Sequence, residues 1–157
     1  MADQLDLVAQ CIKTGIPTTV YLVSLDSFDT HAAEKATQQA LLGTLDSAVS
    51  AFLSDMANDP RGRGVVLLAY SEFGRRVAAN ASQGTDHGTA GPVFVAGLPV
   101  RGGFYGTQPS LTDLDNGDLK YDVDFRAIYG ELVHKVLRTD PGRVLRTVPP
   151  ELGFLSA

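Results

Sequence analysis

Two short apolar runs, residues 65–70 (VVLLAY) and 92–98 (PVFVAGL), bracket a polar stretch at 71–91, SEFGRRVAANASQGTDHGTAG. Apolar runs of this length bounded by turn residues read as buried strands. The stretch between them has no apolar period and carries Ser71, Glu72, Arg75, Arg76, Asn80, Thr85, Asp86 and His87. A polar loop so long is uncommon inside a compact domain unless it is functional or disordered. The flanking strands argue against disorder, so this loop is the expected working edge.

The rest of the chain supplies a scaffold for it. Residues 2–14 place Leu5, Val8, Ala9 and Ile12 at helical spacing, with Gly15 at the stop position. Residues 19–25 (TVYLVSL) are β-branched and aliphatic without clean alternation, the pattern of a strand covered on both faces in a parallel sheet. A long helix is expected over 33–57, with Leu41, Leu42, Leu45, Val49, Phe52, Leu53 and Met56 as its apolar stripe and Glu34, Lys35, Gln38, Asp46 and Asp55 on the wet face. The turn at 58–64 then leads into the strand at 65. Strand, helix, strand predicts a right-handed βαβ unit with parallel strands.

The run at 92–98 follows without a crossover helix and should therefore return antiparallel. Residues 101–118 are rich in glycine and turn formers, with a short hairpin expected around Phe104 and Tyr105. A final helix over 123–138 aligns Phe125, Ile128, Tyr129, Leu132, Val133 and Val136, and the tail through Phe154 should pack across the surface. The sum is one α/β domain over residues 1–157.

This arrangement places Asp26, Asp29 and His31 after one strand and Ser71 and Glu72 after the next, at carboxyl ends where open α/β sheets bind ligands. The antiparallel return brings Asp86 and His87 to the same edge. Imidazole and carboxylate together suit zinc, manganese or iron, so Asp29, His31, Glu72, Asp86 and His87 are the candidate metal ligands. Arg75 or Arg76 can hold an anionic oxygen. Each pattern also has an ordinary reading: an Asx turn for Asp29 to His31, a solvated loop for Asp86 and His87, and a turn cap or Arg75 partner for Glu72. His134, off the apolar face of the last helix, is expected in solvent, and the acids at 113–118 read as turn formers.

The formal charge of -5 argues against nucleic acid as a partner. The single cysteine, Cys11, excludes a disulfide framework and a cysteine metal site. No apolar run is long enough for a membrane span, and the acidic amphipathic N-terminus does not look like a signal peptide. As it stands, the chain reads as cytoplasmic.

The motifs FDTH at 28–31, SEFGR at 71–75, GTDHG at 84–88 followed by PVFVAG at 92–97, and GGFYG at 102–106 resemble the domain-of-unknown-function 1501 family. DFRAIYGELV at 124–133 and LGF at 152–154 extend the likeness. That family is placed in the alkaline phosphatase/sulfatase superfamily. The resemblance implies a three-layer α/β/α sandwich with a mixed, mainly parallel sheet, and two-metal hydrolysis of phosphate or sulfate esters. It implies Asp29, His31 and His87 around one divalent ion, zinc before manganese or iron, with Ser71, Glu72 and Asp86 offered to a second. A small anionic ester would be the substrate.

Two departures stand out. Phe28 replaces the family's usual tryptophan. Full-length members are more than twice as long and often carry a twin-arginine export signal, so the chain looks like a C-terminal half, without the part that supplies the superfamily's nucleophile. No GxSxG occurs, which leaves Ser71 and Thr85 as candidate nucleophiles; Ser71 and Arg75 are the candidate catalytic residues. The alternative reading is a non-catalytic domain that keeps a metal or binds a partner. A partial sheet also leaves an unpaired edge, which favours a homo-oligomer.

Overall fold

The computed structural model describes residues 1–156. In chain order it contains helix α1 (Ala2–Thr14), helix α2 (Glu34–Asn58), strands β1 (Leu67–Ala69), β2 (Gly74–Ala79), β3 (Thr85–Gly88) and β4 (Phe94–Ala96), and helix α3 (Phe125–Lys135). Short 3-10 turns at Gly62–Gly64 and Pro141–Arg143 follow α2 and α3. No helix among the described residues is long and apolar enough to cross a membrane.

The strands form two separate two-stranded antiparallel sheets, β1 with β4 and β2 with β3. In the first, Leu67, Leu68 and Ala69 face Ala96, Val95 and Phe94, which is the antiparallel return expected of the second apolar run. Side chains alternate across a strand, and β1 uses both of its faces. Leu67, with Val65, packs on a cluster built from Leu5 and Ala9 of α1 and Ala48, Phe52 and Met56 of α2. Leu68, with Val66, packs on a second cluster formed by Ile128 of α3 and by Phe154 and Leu155 of the tail. The tail is therefore part of the core rather than a strap across the surface.

The expected three-layer α/β/α sandwich with a mainly parallel sheet does not form. It required residues 19–25 to pair in parallel with β1. That segment is extended but joins no sheet, and within it only the Ser24 N–H has a protein hydrogen-bond partner, Gln4 Oε1. Val23 reaches the first cluster, while Val20 and Leu22 are 64% and 84% exposed. A run of β-branched residues signals a strand without specifying what pairs with it, and here the pairing is missing. A hairpin near Phe104 is likewise absent, and that ring lies fully in solvent. The polar stretch at 71–91, expected as an irregular loop, is instead folded into the β2–β3 hairpin.

The tail is held by one buried carboxylate. Glu131 is completely buried and accepts hydrogen bonds from the Gly153 N–H (2.7 Å) and the Leu155 N–H (2.8 Å), with Lys135 Nζ 3.4 Å away. Buried donors left without a partner each cost about 1–3 kcal/mol. Glu131→Ala should therefore destabilise the domain by at least about 2 kcal/mol in urea unfolding, with Glu131→Gln losing less because one acceptor remains. In α2, Gly43 is exposed, and an added Cβ would meet nothing within 4 Å. Gly43→Ala should stabilise the protein by about 0.5–1 kcal/mol, read as a rise in the urea midpoint at unchanged slope.

Candidate metal centre

The β2–β3 hairpin sits on the start of α2. Gly74 faces Gly88 and Arg75 faces His87, after which the register slips before Ala79 meets Thr85. Residues 76–78 thus lie opposite Asp86 alone, a bulge that bends the ribbon. The turn is tied by Asn80, whose side-chain oxygen accepts from the Ser82 and Gly84 N–H groups. Helix α2 has no side-chain cap at Ala33. Its first N–H groups donate outward instead, Ala33 to the Ser82 carbonyl and Glu34 to the Gln83 carbonyl, both 3.0 Å. The hairpin turn therefore satisfies donors that a helix start leaves open.

That junction delivers the segment before α2 to the hairpin. Asn80 Nδ2 donates to the His31 carbonyl at 3.0 Å. The approach is so close at Gly84 that a Cβ there would lie 2.4 Å from the His31 carbonyl carbon. Gly84 and Gly88 flank the Thr85–His87 segment. Neither has a positive φ; both leave room, Gly84 for His31 and Gly88 for the Arg75 backbone.

Three side-chain atoms meet as a result. Asp29 Oδ1 lies 3.0 Å from His31 Nε2 and 2.8 Å from His87 Nε2, and the two imidazole nitrogens are 3.1 Å apart. Ligands about 2.0–2.1 Å from one ion are separated by about 3.0 Å across an octahedral face and about 3.4 Å along a tetrahedral edge. The observed triangle is of that size and closer to the octahedral face. The side chains are 64%, 48% and 46% exposed, so one side of the triangle faces solvent. His87 is fixed in plane by Phe73, whose ring stacks on it at 3.7 Å and 12°. On His31 the other ring nitrogen, Nδ1, lies 3.7 Å from Asp86 Oδ1, which accepts a hydrogen bond from Asn80 Nδ2 at 3.3 Å.

The close approach of His87, with His31 adding to it, holds the Asp29 carboxyl below its ordinary value, against a smaller opposing effect of desolvation. A carboxylate with a lowered value in the folded state stabilises that state at neutral pH, and the contribution is lost as pH falls through the lowered value.

Of the residues singled out from sequence, Asp29, His31 and His87 come together as one group with ligand atoms within 4.8 Å. Asp86 stands behind His31. Glu72 is exposed and outside the group. Ser71 Oγ donates to the Phe73 carbonyl at 2.9 Å, and Thr85 Oγ1 donates to Glu34 Oε2 at 2.7 Å. The Arg75 guanidinium is directed at backbone carbonyls, and Arg76 lies near Asp118 and bonds the Asn116 carbonyl. His134 is exposed and within 2.6 Å of Glu151. Sequence reasoning missed the stacking of Phe73, the turn-tying Asn80 and the inward-facing Glu34, which it had placed on the wet face. The αL backbone at Gln83 (φ 60), in a turn next to glycine, is visible only in three dimensions.

The sequence profile of a family described as "Protein of unknown function (DUF1501)" matches residues 16–146. The chain belongs to this family. No curated protein and no solved structure matches it. Within this DUF1501 chain the matched span contains the whole triangle, the hairpin and Glu131, while the core residues Phe154 and Leu155 lie beyond it.

Adding a methyl group at Gly84 must displace the His31 backbone. Gly84→Ala should cost about 1–3 kcal/mol and abolish ring-to-ring NOEs between His31 and His87. Gly64→Ala, where a Cβ meets nothing within 4 Å, should leave those NOEs intact.

Proposed function

We propose that this DUF1501 chain is a metal-binding, hydrolase-like domain of the alkaline phosphatase/sulfatase type, with small phosphate or sulfate esters as its substrate class. The observation that carries this reading is the convergence of one carboxylate oxygen and two imidazole nitrogens, from residues up to 58 positions apart, on one point. The donor set is nitrogen and oxygen with no thiolate, which suits zinc, manganese or iron. Three protein ligands with an open side are the arrangement of a catalytic rather than a closed structural site. A divalent ion bound there would supply Lewis-acid polarisation of a phosphoryl or sulfuryl oxygen. Asp29, His31 and His87 would hold it, and Phe73 would keep the His87 ring in plane.

A second reading rests on a separate observation. Ser71 Oγ and Thr85 Oγ1 are both engaged away from the triangle, and the Arg75 guanidinium faces carbonyl oxygens rather than open space. No candidate nucleophile or anion clamp named from the sequence hydrogen-bonds the three ligand atoms. A domain that binds metal without turning over an ester fits this arrangement.

Metal content of protein purified without chelator, measured by plasma mass spectrometry, separates the cases. Wild type should carry about one equivalent of zinc, manganese or iron, and the His31→Ala/His87→Ala double variant none. Hydrolysis of p-nitrophenyl phosphate or sulfate that disappears with the double variant supports the hydrolase. Metal without hydrolysis supports the second reading. Absence of metal in wild type after reconstitution overturns both.

A further inference from the structure

We infer that Arg75 is a positioning residue, whose guanidinium sets the geometry of the triangle by gripping the backbone on both sides of it. The metal readout of this inference rests on the reading above; the placement of the backbone does not. Arg75 Nη1 donates to the Thr30 carbonyl and to the Thr85 carbonyl, each at 2.7 Å, and Nη2 donates to the Phe28 carbonyl at 2.5 Å. Nε lies 3.7 Å from Glu34 Oε1, and the two side chains are only 18% and 13% exposed. Three of the five N–H donors of the guanidinium are thus hydrogen-bonded to fixed carbonyls, and Glu34 adds an ion pair at longer range.

The partners are what make the grip specific. Phe28 and Thr30 flank Asp29, and Thr30 also precedes His31. Thr85 stands two residues before His87 in β3. Arg75 itself is the cross-strand partner of His87. One planar group therefore ties both ligand-bearing segments to a common origin. A planar fork suits this task, because it presents several donors in fixed directions to separate acceptors. Lysine presents its three donors from a single atom on a flexible stem, without the fixed spacing of the fork.

The surrounding backbone needs such a tie. Ser27 (φ 78) and Ala33 (φ 46) bracket the ligand segment in the left-handed region, and Gln83 (φ 60) occupies the hairpin turn. Non-glycine residues in that region persist only where the surroundings over-determine them. Phe73 completes the assembly, with the Arg75 Cζ 5.2 Å from its ring centroid while the same ring stacks on His87. The neighbouring Arg76 is the natural control: it points away, to Asn116 and Asp118.

The test compares wild type, Arg75→Lys and Arg76→Lys by NMR without metal and by titration with Co(II), followed through its visible absorption. In wild type, Arg75 guanidinium protons should exchange slowly with water, and His31 and His87 ring protons should show NOEs. Arg75→Lys should lose those NOEs and bind Co(II) about 10–100-fold more weakly, with an altered spectrum; Arg76→Lys should match wild type on every measure. Arg75→Lys that keeps both the NOEs and wild-type Co(II) affinity overturns the inference and leaves the metal reading standing. Wild type that binds no Co(II) sinks the metal reading, while NOE loss in Arg75→Lys still upholds the positioning role. Should Arg75→Lys not fold, wild-type guanidinium exchange decides alone: protection supports the grip and solvent-rate exchange overturns it.

Discussion

The lashing of residues 28–34 to the β2–β3 hairpin is the constraint on which the site depends. It is made almost wholly of side chains and N–H groups reaching main-chain carbonyls: Arg75 to Phe28, Thr30 and Thr85, Asn80 to His31, and the first N–H groups of α2 to the turn. Carbonyl oxygens are obligatory acceptors wherever the chain is removed from water. A junction built on them holds the backbone first and the ligating side chains as a consequence. Asp29, His31 and His87 meet because the chain that carries them has nowhere else to lie.

This junction also connects the site to the core. Helix α2 begins at the hairpin turn and ends among Ala48, Phe52 and Met56 against α1. The hairpin itself is an excursion from β1, which returns through β4 into the second cluster under Glu131 and the tail. The exposed triangle is thereby anchored at two buried ends, although no part of it is buried.

The helices and the apolar strands β1 and β4 were legible because their signal is local. The expected span of the long helix, 33–57, matches Glu34–Asn58 to within a residue, although Leu42 of its apolar stripe lies exposed, and the two apolar runs contain β1 and β4. The parallel sheet was not legible, because it depended on a partner for residues 19–25 that the pattern could only assume. The hairpin was hidden by its polarity and by the bulge at 76–78, which breaks the two-residue alternation a strand would show. At the site, residue type and position sufficed to single out Asp29, His31 and His87, since imidazole and carboxylate carry their chemistry in their names. The setting of Arg75 and Asn80 was beyond reach for the opposite reason. Their acceptors are main-chain oxygens, identical at every position, and only the folded path says which ones lie near. Glu34 was misplaced on the wet face because helical periodicity alone does not reveal a hairpin lying across the first turn.

The pairing of Ala69 with Phe94 has a bearing on how this surface can change. Those two residues pin the ends of everything between them, so residues 70–93 form a closed excursion whose interior touches neither apolar cluster. Lengthening such an excursion costs little closure entropy, about 0.6 kcal/mol per doubling. Insertions at its exposed stretches can therefore reshape what surrounds Asp29, His31 and His87 while the packing of β1 and β4 stays as it is. The surroundings of the site are thereby set apart from the residues that fill the two apolar clusters.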